Sequence, residues 1–213
     1  MHVQRQRQQS GARLNMKHPK PRFPLQLATT SATIRQLPFT RCSLLETVPR
    51  SQFLGVGKSC ILSRHIGHGW IPSSTPTAGI HFEVHNLLIC EGSILIKDVY
   101  WDVSGTEDRS QLGPYCMGMD AIWIVYDVTD QKSFEDVRQW FDLVMQYRSK
   151  ADGIRLIGNK RDIHNRRVVQ TQQGHDLAKA LAIPQFFEMS ARTNEGVQEM
   201  QVDHLGVWGR YKA

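Results

Sequence analysis

The segment Gly55-Val-Gly-Lys-Ser59 organises this sequence, because glycine turns that end in Lys-Ser bind phosphate groups. In the full pattern G-x-x-x-x-G-K-[ST], backbone N–H groups and the N-terminus of the following helix hold the phosphates. Lys58 would neutralise β- and γ-phosphate oxygens, and Ser59 would ligate Mg²⁺. Gln52 replaces the first glycine, and the strand expected before the loop, residues 44–51, contains a proline and two charges. Taken alone, the segment leaves a phosphate-binding loop and an unrelated glycine turn both open.

The residues that follow this segment alternate between strand and helix patterns. Apolar and polar residues alternate from Ile80 to His85, as in a half-buried strand, and a turn at Glu91-Gly92 leads to a second strand over residues 94–101 that pairs with it. Residues 121–126 and 154–158 are short apolar runs, typical of strands covered on both faces. We therefore predict an α/β three-layer sandwich with a mostly parallel sheet and one antiparallel strand.

Two helices are predicted among these strands. Ser133 is the expected N-cap of the first, with Asp136 three residues on, and apolar residues then recur at helical spacing. The second helix follows Thr171, ends before Pro184 and leads into a strand at Phe186. In such sheets, ligands bind in loops at the carboxyl ends of the strands, so functional residues are expected there.

Charge is distributed unevenly along the 213 residues. Residues 1–50 contain nine Lys and Arg and one acid, whereas the remainder contains 17 basic and 19 acidic residues, so the net charge of +6 arises in the first quarter. Residues 1–43 are also rich in Gln, Ser, Thr and Pro, which favours a basic disordered tail over a transit peptide. The near-neutral remainder gives no support for nucleic-acid binding, and the tail predicts at most weak attraction to anionic lipid.

Membrane-spanning, disulfide-linked and zinc-binding classes are not indicated. The apolar run at residues 121–126 is far shorter than the roughly 20 residues that cross a bilayer. The four cysteines form no C-x-x-C pair, which favours a reducing compartment. His65 and His68 have no Cys or carboxylate nearby in sequence, so they are predicted to be surface histidines.

A carboxylate and a glycine close the second strand of the predicted hairpin, in Trp101-Asp-Val-Ser-Gly105. Asp102 can hold Mg²⁺ through a water molecule, and the N–H of Gly105 can reach a γ-phosphate. An isolated Asp is also common in strand-end turns. The segment therefore supports a nucleotide site only together with Lys58 and Ser59.

Residues suited to a guanine base follow the next two strands. In Asn159-Lys-Arg-Asp162, the Asp162 carboxylate can accept from the N1 and N2 donors of guanine, a pattern that adenine lacks, and Lys160 can lie over the base plane. At Ser190-Ala191, a backbone N–H would lie at the guanine O6. Each motif is weak alone, but four in this order, each beside a predicted strand or helix, indicate a guanine-nucleotide site.

From roughly residue 52 to residue 200, the chain resembles the Ras-like small GTPases, and most closely the Rab branch. The resemblance rests on Gly55-Val-Gly-Lys-Ser-Cys60, Thr77-Ala-Gly-Ile-His-Phe82, Trp101-Asp-Val-Ser-Gly105, Val125-Tyr-Asp-Val-Thr129, Gly158-Asn-Lys-Arg-Asp162 and Ser190-Ala191. It implies a P-loop NTPase G domain, which we expect over residues 44–205. A C-terminal tail is expected at 206–213, because two glycines argue against a long last helix.

The resemblance also implies a switch driven by GTP and GDP with Mg²⁺. Thr77 lies 18 residues after Ser59, the family's interval to its second Mg²⁺-ligating hydroxyl. Trp70 lies where the family packs an aromatic ring against the guanine edge, although core packing stays an alternative. The predicted metal ligands are Ser59, Thr77 and Asp102, and the predicted catalytic residues are Lys58, Thr77, Gly105 and Thr106. The predicted nucleotide contacts are Gly55, Val56, Gly57, Lys58, Ser59, Cys60, Trp70, Thr77, Gly105, Asn159, Lys160, Asp162, Ser190, Ala191 and Arg192.

Several residues depart from the family pattern. Gln52, Phe53 and Leu54 replace small or polar residues close to the phosphates. Thr106 stands where the family usually has the glutamine that orients the attacking water, so slow hydrolysis is expected. Arg192 replaces the usual lysine, which is a mild change.

Three hypotheses remain open. The first is a Rab-like small GTPase of vesicle transport or signalling that works with an exchange factor, a GTPase-activating protein and effectors. The second is a GTP-binding scaffold without turnover, and the third is a G domain with truncated or wrongly joined ends. Because no cysteine follows Cys116, no prenyl anchor is expected, and we predict a cytoplasmic protein with at most peripheral membrane contact.

Overall fold

The structure is a computed structural model that describes residues 35–36, 40–46, 55–70, 72, 79–89, 94–103 and 113–209. These belong to a compact unit of residues 33–213; a second unit, residues 1–32, lies outside the described residues. The strands are β1 (Arg35–Gln36), β2 (Thr40–Glu46), β3 (Ile80–Ile89), β4 (Ile94–Val103), β5 (Ala121–Asp127), β6 (Ile154–Asn159) and β7 (Gln185–Glu188). The helices are α1 (Lys58–His65), α2 (Gln131–Glu135), α3 (Val137–Met145), α4 (Thr171–Ala180) and α5 (Val197–Gly209).

The described strands form one sheet in the order β3-β4-β2-β5-β6-β7. β4, β2, β5, β6 and β7 are parallel, and β3 runs antiparallel to β4 with Ile80 opposite Val103. β3 pairs with β4 along the whole length of β4. β1 and β2 therefore pair with the opposite edge of β4, β1 with its first residues and β2 with the residues that follow. The predicted mostly parallel sheet with one antiparallel strand is confirmed for these strands.

Helices cover both faces of the sheet. On one face, α1 and α5 pack on a cluster that includes Tyr100, Trp123 and Ile157. On the other face, α2, α3 and α4 pack on a cluster that includes Ile124 and Leu156. Because both faces are covered, every residue of β5 and β6 is buried, as the continuous apolar runs predict. The three-layer α/β class is confirmed.

β2 begins before the strand that the sequence predicts. It pairs with β4 on one edge and with β5 on the other, through residues 42–44 on both sides. Because Pro49 has no N–H for such a ladder, the paired segment lies on its N-terminal side. The domain boundary expected at residue 44 therefore falls inside β2, while residues 47–54 lie outside the described part. The domain limits themselves stay a prediction.

The N-cap of α2 is Asp130, so the prediction of Ser133 is wrong. The Asp130 carboxylate accepts from the Lys132 N–H at 3.0 Å. Ser133 lies inside α2, where its fully buried hydroxyl donates to the Asp130 carbonyl and accepts from the Asp127 N–H. The single predicted helix is divided into α2 and α3 at Asp136. Asp and Ser are both favoured N-cap residues. Here the Ser133 hydroxyl bonds to Asp127 at the end of β5, so Asp130 caps the helix.

α5 continues to Gly209, through residues expected in a C-terminal tail. Each glycine inside a helix costs about 1 kcal/mol relative to alanine. The first half of α5 buries Val197 and Met200 against the sheet, and such packing outweighs local propensity. Residues 210–213 lie outside the described part. Among the residues that the structure describes, no helix combines the length and apolar character needed to cross a membrane.

Two side-chain positions differ from the sequence expectation. His65 is buried, with its Nε2 2.8 Å from the Tyr100 hydroxyl, which donates to Asp98. Phe82, on the side of β3 expected to be covered, is 64% exposed and packs against Trp101 with ring centroids 5.8 Å apart. As an antiparallel strand outside the parallel ladder, β3 is covered less than β5. The turn expected at Glu91-Gly92 lies outside the described residues.

Candidate nucleotide-binding site

The N-terminus of α1 carries the predicted phosphate-binding residues. Gly57 is the N-cap and has a φ of 91°, in the left-handed region that favours glycine. A Cβ there would lie 2.5 Å from the Asn159 Nδ2, so glycine also permits a close approach. Lys58, 3% exposed, and Ser59 are the first two residues of the helix, where the backbone N–H groups of the first turn and the helix dipole favour an anion.

Ser59 and Asp102 bring the start of α1 to the carboxyl end of β4. The Ser59 hydroxyl donates to Asp102 Oδ2 at 2.5 Å. Asp102 is 4% exposed, and its Oδ1 is buried with no hydrogen-bond partner among the residues that the structure describes. A buried carboxylate oxygen without a donor is unfavourable, and a Mg²⁺-bound water would satisfy it, so these residues fit the predicted ion. Thr77, Gly105 and Thr106 lie outside the described residues.

Asn159, at the end of β6, bonds to two loops: the predicted phosphate-binding loop at residues 55–57 and the predicted base-binding loop at residues 190–192. Its Nδ2 donates to the Val56 carbonyl at 2.7 Å, and its Oδ1 accepts from the Ala191 N–H at 3.1 Å. The side chain is 2% exposed, so both bonds form away from bulk water. The Ala191 N–H, expected at the guanine O6, is thus donated to Asn159. The predicted loops lie together because one amide side chain bonds to both.

Asp162 is held by the loop that follows β7. The Ser190 hydroxyl donates to Asp162 Oδ1 at 2.6 Å and accepts from the Thr193 N–H at 3.0 Å. Ser190 is fully buried, and the Arg161 N–H donates to the Met189 carbonyl beside it. The carboxylate predicted to accept from the guanine N1 and N2 is therefore oriented by the protein.

Lys160 is paired with Asp127, a residue to which the sequence assigns no role. The Lys160 Nζ lies 2.6 Å from Asp127 Oδ2, and Lys160 has a positive φ of 66°. The other carboxylate oxygen of Asp127 accepts from the N–H and the hydroxyl of Thr129. One signal could have found Asp127: it is a carboxylate at the carboxyl end of a buried strand, next to the strand that ends at Asn159.

The last turn of α1 holds the two loops expected beside the base. The Ser63 hydroxyl donates to the Gly69 carbonyl at 2.8 Å. The Arg64 guanidinium donates from Nε to the Ala191 carbonyl at 2.7 Å and from Nη2 to the Arg192 carbonyl at 2.8 Å. No sequence motif marks these bonds, since Arg64 acts on a loop 127 residues away.

Trp70 and Arg192, both predicted nucleotide contacts, lie beside each other. The Arg192 Cζ is 5.8 Å from the centre of the Trp70 ring, within the range of a cation–π contact. Trp70 is 40% exposed, so it lies outside the core and is accessible to a ligand.

Cys60 lies between the two ends of the site. Burial raises the pKa of its thiol above the ordinary value; the nearby Lys160 ammonium opposes this, and the Asp102 carboxylate adds to it. A raised thiol pKa disfavours the thiolate, the form in which a cysteine acts as a nucleophile.

Comparison with known proteins identifies the family. The model of the Ras family matches residues 53–205. The chain belongs to the Ras family. Ras-related protein SEC4 of Candida albicans is 40% identical over 147 residues, which cover 68% of this chain and 69% of that protein. GTP-binding protein ypt2 of Schizosaccharomyces pombe is 42% identical over 146 residues, covering 68% and 72%. Ras-related protein Rab-8B of Dictyostelium discoideum is 39% identical over 146 residues, covering 68% and 70%.

Membership of the Ras family confirms the resemblance stated from the motifs, and these relatives lie near the Rab branch as predicted. The chain is therefore a Ras-like small GTPase by family. The structure brings together the predicted residues of α1, β4, β6 and the loop after β7. The individual roles of those residues stay predictions.

Proposed function

We propose that this Ras-family chain binds guanine nucleotide with Mg²⁺ and hydrolyses GTP slowly, as a Rab-type switch in vesicle transport or signalling. The observation that carries the proposal is the position of Asn159, which bonds to the Val56 carbonyl and the Ala191 N–H. One side chain thereby holds a loop suited to phosphate beside a loop suited to a base. That pairing of two chemistries is what a nucleotide requires.

Each end of the site has residues suited to its part of the nucleotide. Lys58 and the N–H groups at the start of α1 bind the phosphates, and Ser59 and Asp102 hold the ion together with Thr77. When bound, Mg²⁺ neutralises charge on the β- and γ-phosphate oxygens. Asp162 accepts from the guanine N1 and N2, and this excludes adenine, which has no such pair of donors.

The wider roles of the chain follow from the family. We expect an exchange factor to release GDP, a GTPase-activating protein to accelerate hydrolysis, and effectors to bind the GTP form. The near-neutral charge of residues 51–213 gives no support for a nucleic acid as ligand. The location is proposed as cytoplasmic, with peripheral contact at membranes.

Slow hydrolysis is the part of the proposal that depends on departures from the family pattern. Thr106 is shorter than glutamine and has no carboxamide to orient water, and Gln52 and Leu54 replace the small or polar residues of the family pattern. The same residues favour the second candidate, a GTP-binding scaffold without turnover. The two candidates differ in whether bound GTP ever becomes GDP.

A single-turnover measurement with labelled GTP separates these candidates. Full-length protein is loaded with one equivalent of GTP, and GDP is measured over time with and without a GTPase-activating extract. We expect slow conversion that the Thr106→Gln variant accelerates by about tenfold or more, a modest contribution for a positioned catalytic group. Thr106→Asn, whose carboxamide is one methylene shorter, is the matched control. Bound GTP that is never converted, even with Thr106→Gln, would favour the scaffold.

Thermal unfolding tests the third hypothesis, a domain with wrongly joined ends. A ligand that binds the folded state raises the melting temperature. We expect a cooperative transition that GDP and Mg²⁺ shift upwards while ADP does not. A broad transition without response to GDP contradicts an intact G domain.

A further inference from the structure

We propose that Arg64 is a positioning residue of the base pocket, and that it controls how long bound guanine nucleotide is retained. The inference rests on the proposed function and adds to it a residue outside every recognised motif. Both hydrogen bonds that the structure shows for the Arg64 side chain are made to the predicted base loop. Its guanidinium donates to two successive carbonyls, those of Ala191 and Arg192, at 2.7 and 2.8 Å.

The geometry of these two bonds suits arginine specifically. The guanidinium is planar and presents N–H groups in a fixed fork, so a single side chain satisfies two carbonyls that lie side by side. Hydrogen bonds to a charged donor are stronger than bonds between neutral groups. The bonds therefore fix the backbone of the loop at residues 191–192, on which the predicted contacts with the base depend.

Ser63, the residue before Arg64, likewise holds the loop that carries Trp70. The buried Ser63 hydroxyl donates to the Gly69 carbonyl at 2.8 Å, next to Trp70. Trp70 in turn lies 5.8 Å from the Arg192 guanidinium carbon. Two consecutive residues of α1 thus hold both loops that carry predicted base contacts.

α1 connects this arrangement to the phosphates. The helix has eight residues and begins at Lys58, so at about 1.5 Å per residue its ends are roughly 10 Å apart. Residues at its first turn face the predicted phosphates, and Ser63 and Arg64 at its last turn hold the base loops. The helix therefore fixes the distance between the two halves of the site.

Release of a fluorescent N-methylanthraniloyl-GDP from the full-length protein tests this role. Arg64→Met removes both bonds, and we expect release about tenfold faster, the low end for losing hydrogen bonds to a charged group. Arg64→Lys keeps the charge without the fork and should give an intermediate rate. The control is Arg138→Met, which removes an exposed arginine of α3 and should release GDP at the wild-type rate.

Magnesium dependence separates positioning of the base loop from general loosening of the site. In the described part of the chain, Arg64 bonds to the loop beside the predicted base and not to the predicted Mg²⁺ position. GDP release from Arg64→Met should therefore be accelerated by the same factor in Mg²⁺ and in EDTA, with the half-effective Mg²⁺ concentration unchanged. Release at the wild-type rate in both Arg64 variants, or acceleration found only with Mg²⁺, overturns the role of Arg64. Wild-type protein that retains no labelled GDP contradicts the proposed function, and the role of Arg64 with it.

Discussion

The candidate site has a base end, formed by Asn159, Lys160 and Asp162, and a metal end, formed by Ser59 and Asp102. The two ends differ in how many of their polar groups are bonded to other residues of the chain. At the base end, Asp162, Lys160 and Asn159 each bond to another residue of the chain. At the metal end, Asp102 bonds to Ser59 through one carboxylate oxygen, and its other oxygen is buried without a hydrogen-bond partner in the described part of the chain. Among the described residues, the base end is thus built in advance, whereas the metal end retains one buried carboxylate oxygen that a ligand could satisfy.

This difference assigns separate tasks to the two ends. Groups already held in place lose little freedom when a ligand binds, so they contribute selectivity at low cost in entropy. A buried oxygen that gains a partner only from the ligand makes binding at the metal end depend on Mg²⁺. We therefore expect changes at the base end to alter which nucleotide binds, and changes at the metal end to alter how binding responds to Mg²⁺.

The largest expected effect comes from Asp162→Asn at the base end. The amide presents a donor where the carboxylate accepts from guanine, so GTP affinity should fall by about 100-fold, as for loss of hydrogen bonds to a charged group. Xanthine nucleotide, which offers an acceptor in place of the guanine amino group, should then compete. Competition against fluorescent GDP measures both changes. Asp176→Asn, at an exposed position of α4, is the control, and unchanged selectivity in Asp162→Asn would show that Asp162 does not contact the base.

A smaller effect is expected from Ser59→Ala at the metal end. Loss of the hydroxyl removes one predicted Mg²⁺ ligand, so GDP release in Mg²⁺ should accelerate by about tenfold, typical of a lost ligand contact worth about 1.4 kcal/mol. In EDTA, the variant and the wild type should release GDP at similar rates. Exposed Ser149→Ala serves as the control. An acceleration that persists unchanged in EDTA would mean that Ser59 supports the fold and not the ion.

The sequence predicts the strands and the motif positions better than the contacts among them. The buried runs of β5 and β6 have a local signature, because strands between two covering layers are mostly apolar; the exception inside β6, Arg155, is buried and pairs with Asp203. Asn159 and Asp162 are also recognisable from the sequence, since they directly follow β6. These features depend on residues that are close together in the sequence, so they can be recognised from the sequence alone.

Partners at long range are what the sequence does not display. The bonds from Arg64 to residues 191–192 join parts of the chain 127 residues apart, and the pairing of Lys160 with Asp127 depends on the register of β5 and β6. His65 is buried against Tyr100 for the same reason: its position follows from the packing of α1 on β4. In each case, the residue type is ordinary and its role arises from the tertiary contact.

The smallest expected effect, from Asp127→Asn, sharpens the view that the base end is built in advance. The amide can still accept from the Thr129 N–H, but Lys160 loses the charge 2.6 Å from its ammonium group. Since Lys160 is 22% exposed, water replaces part of that interaction, and release of fluorescent GDP should accelerate only about threefold. Asp130→Asn makes the same charge change nearby and keeps a good N-cap, so it should leave release unchanged. Equal acceleration in both variants would attribute the effect to net charge, and the orientation of Lys160 by Asp127 would then have no part in retaining the nucleotide.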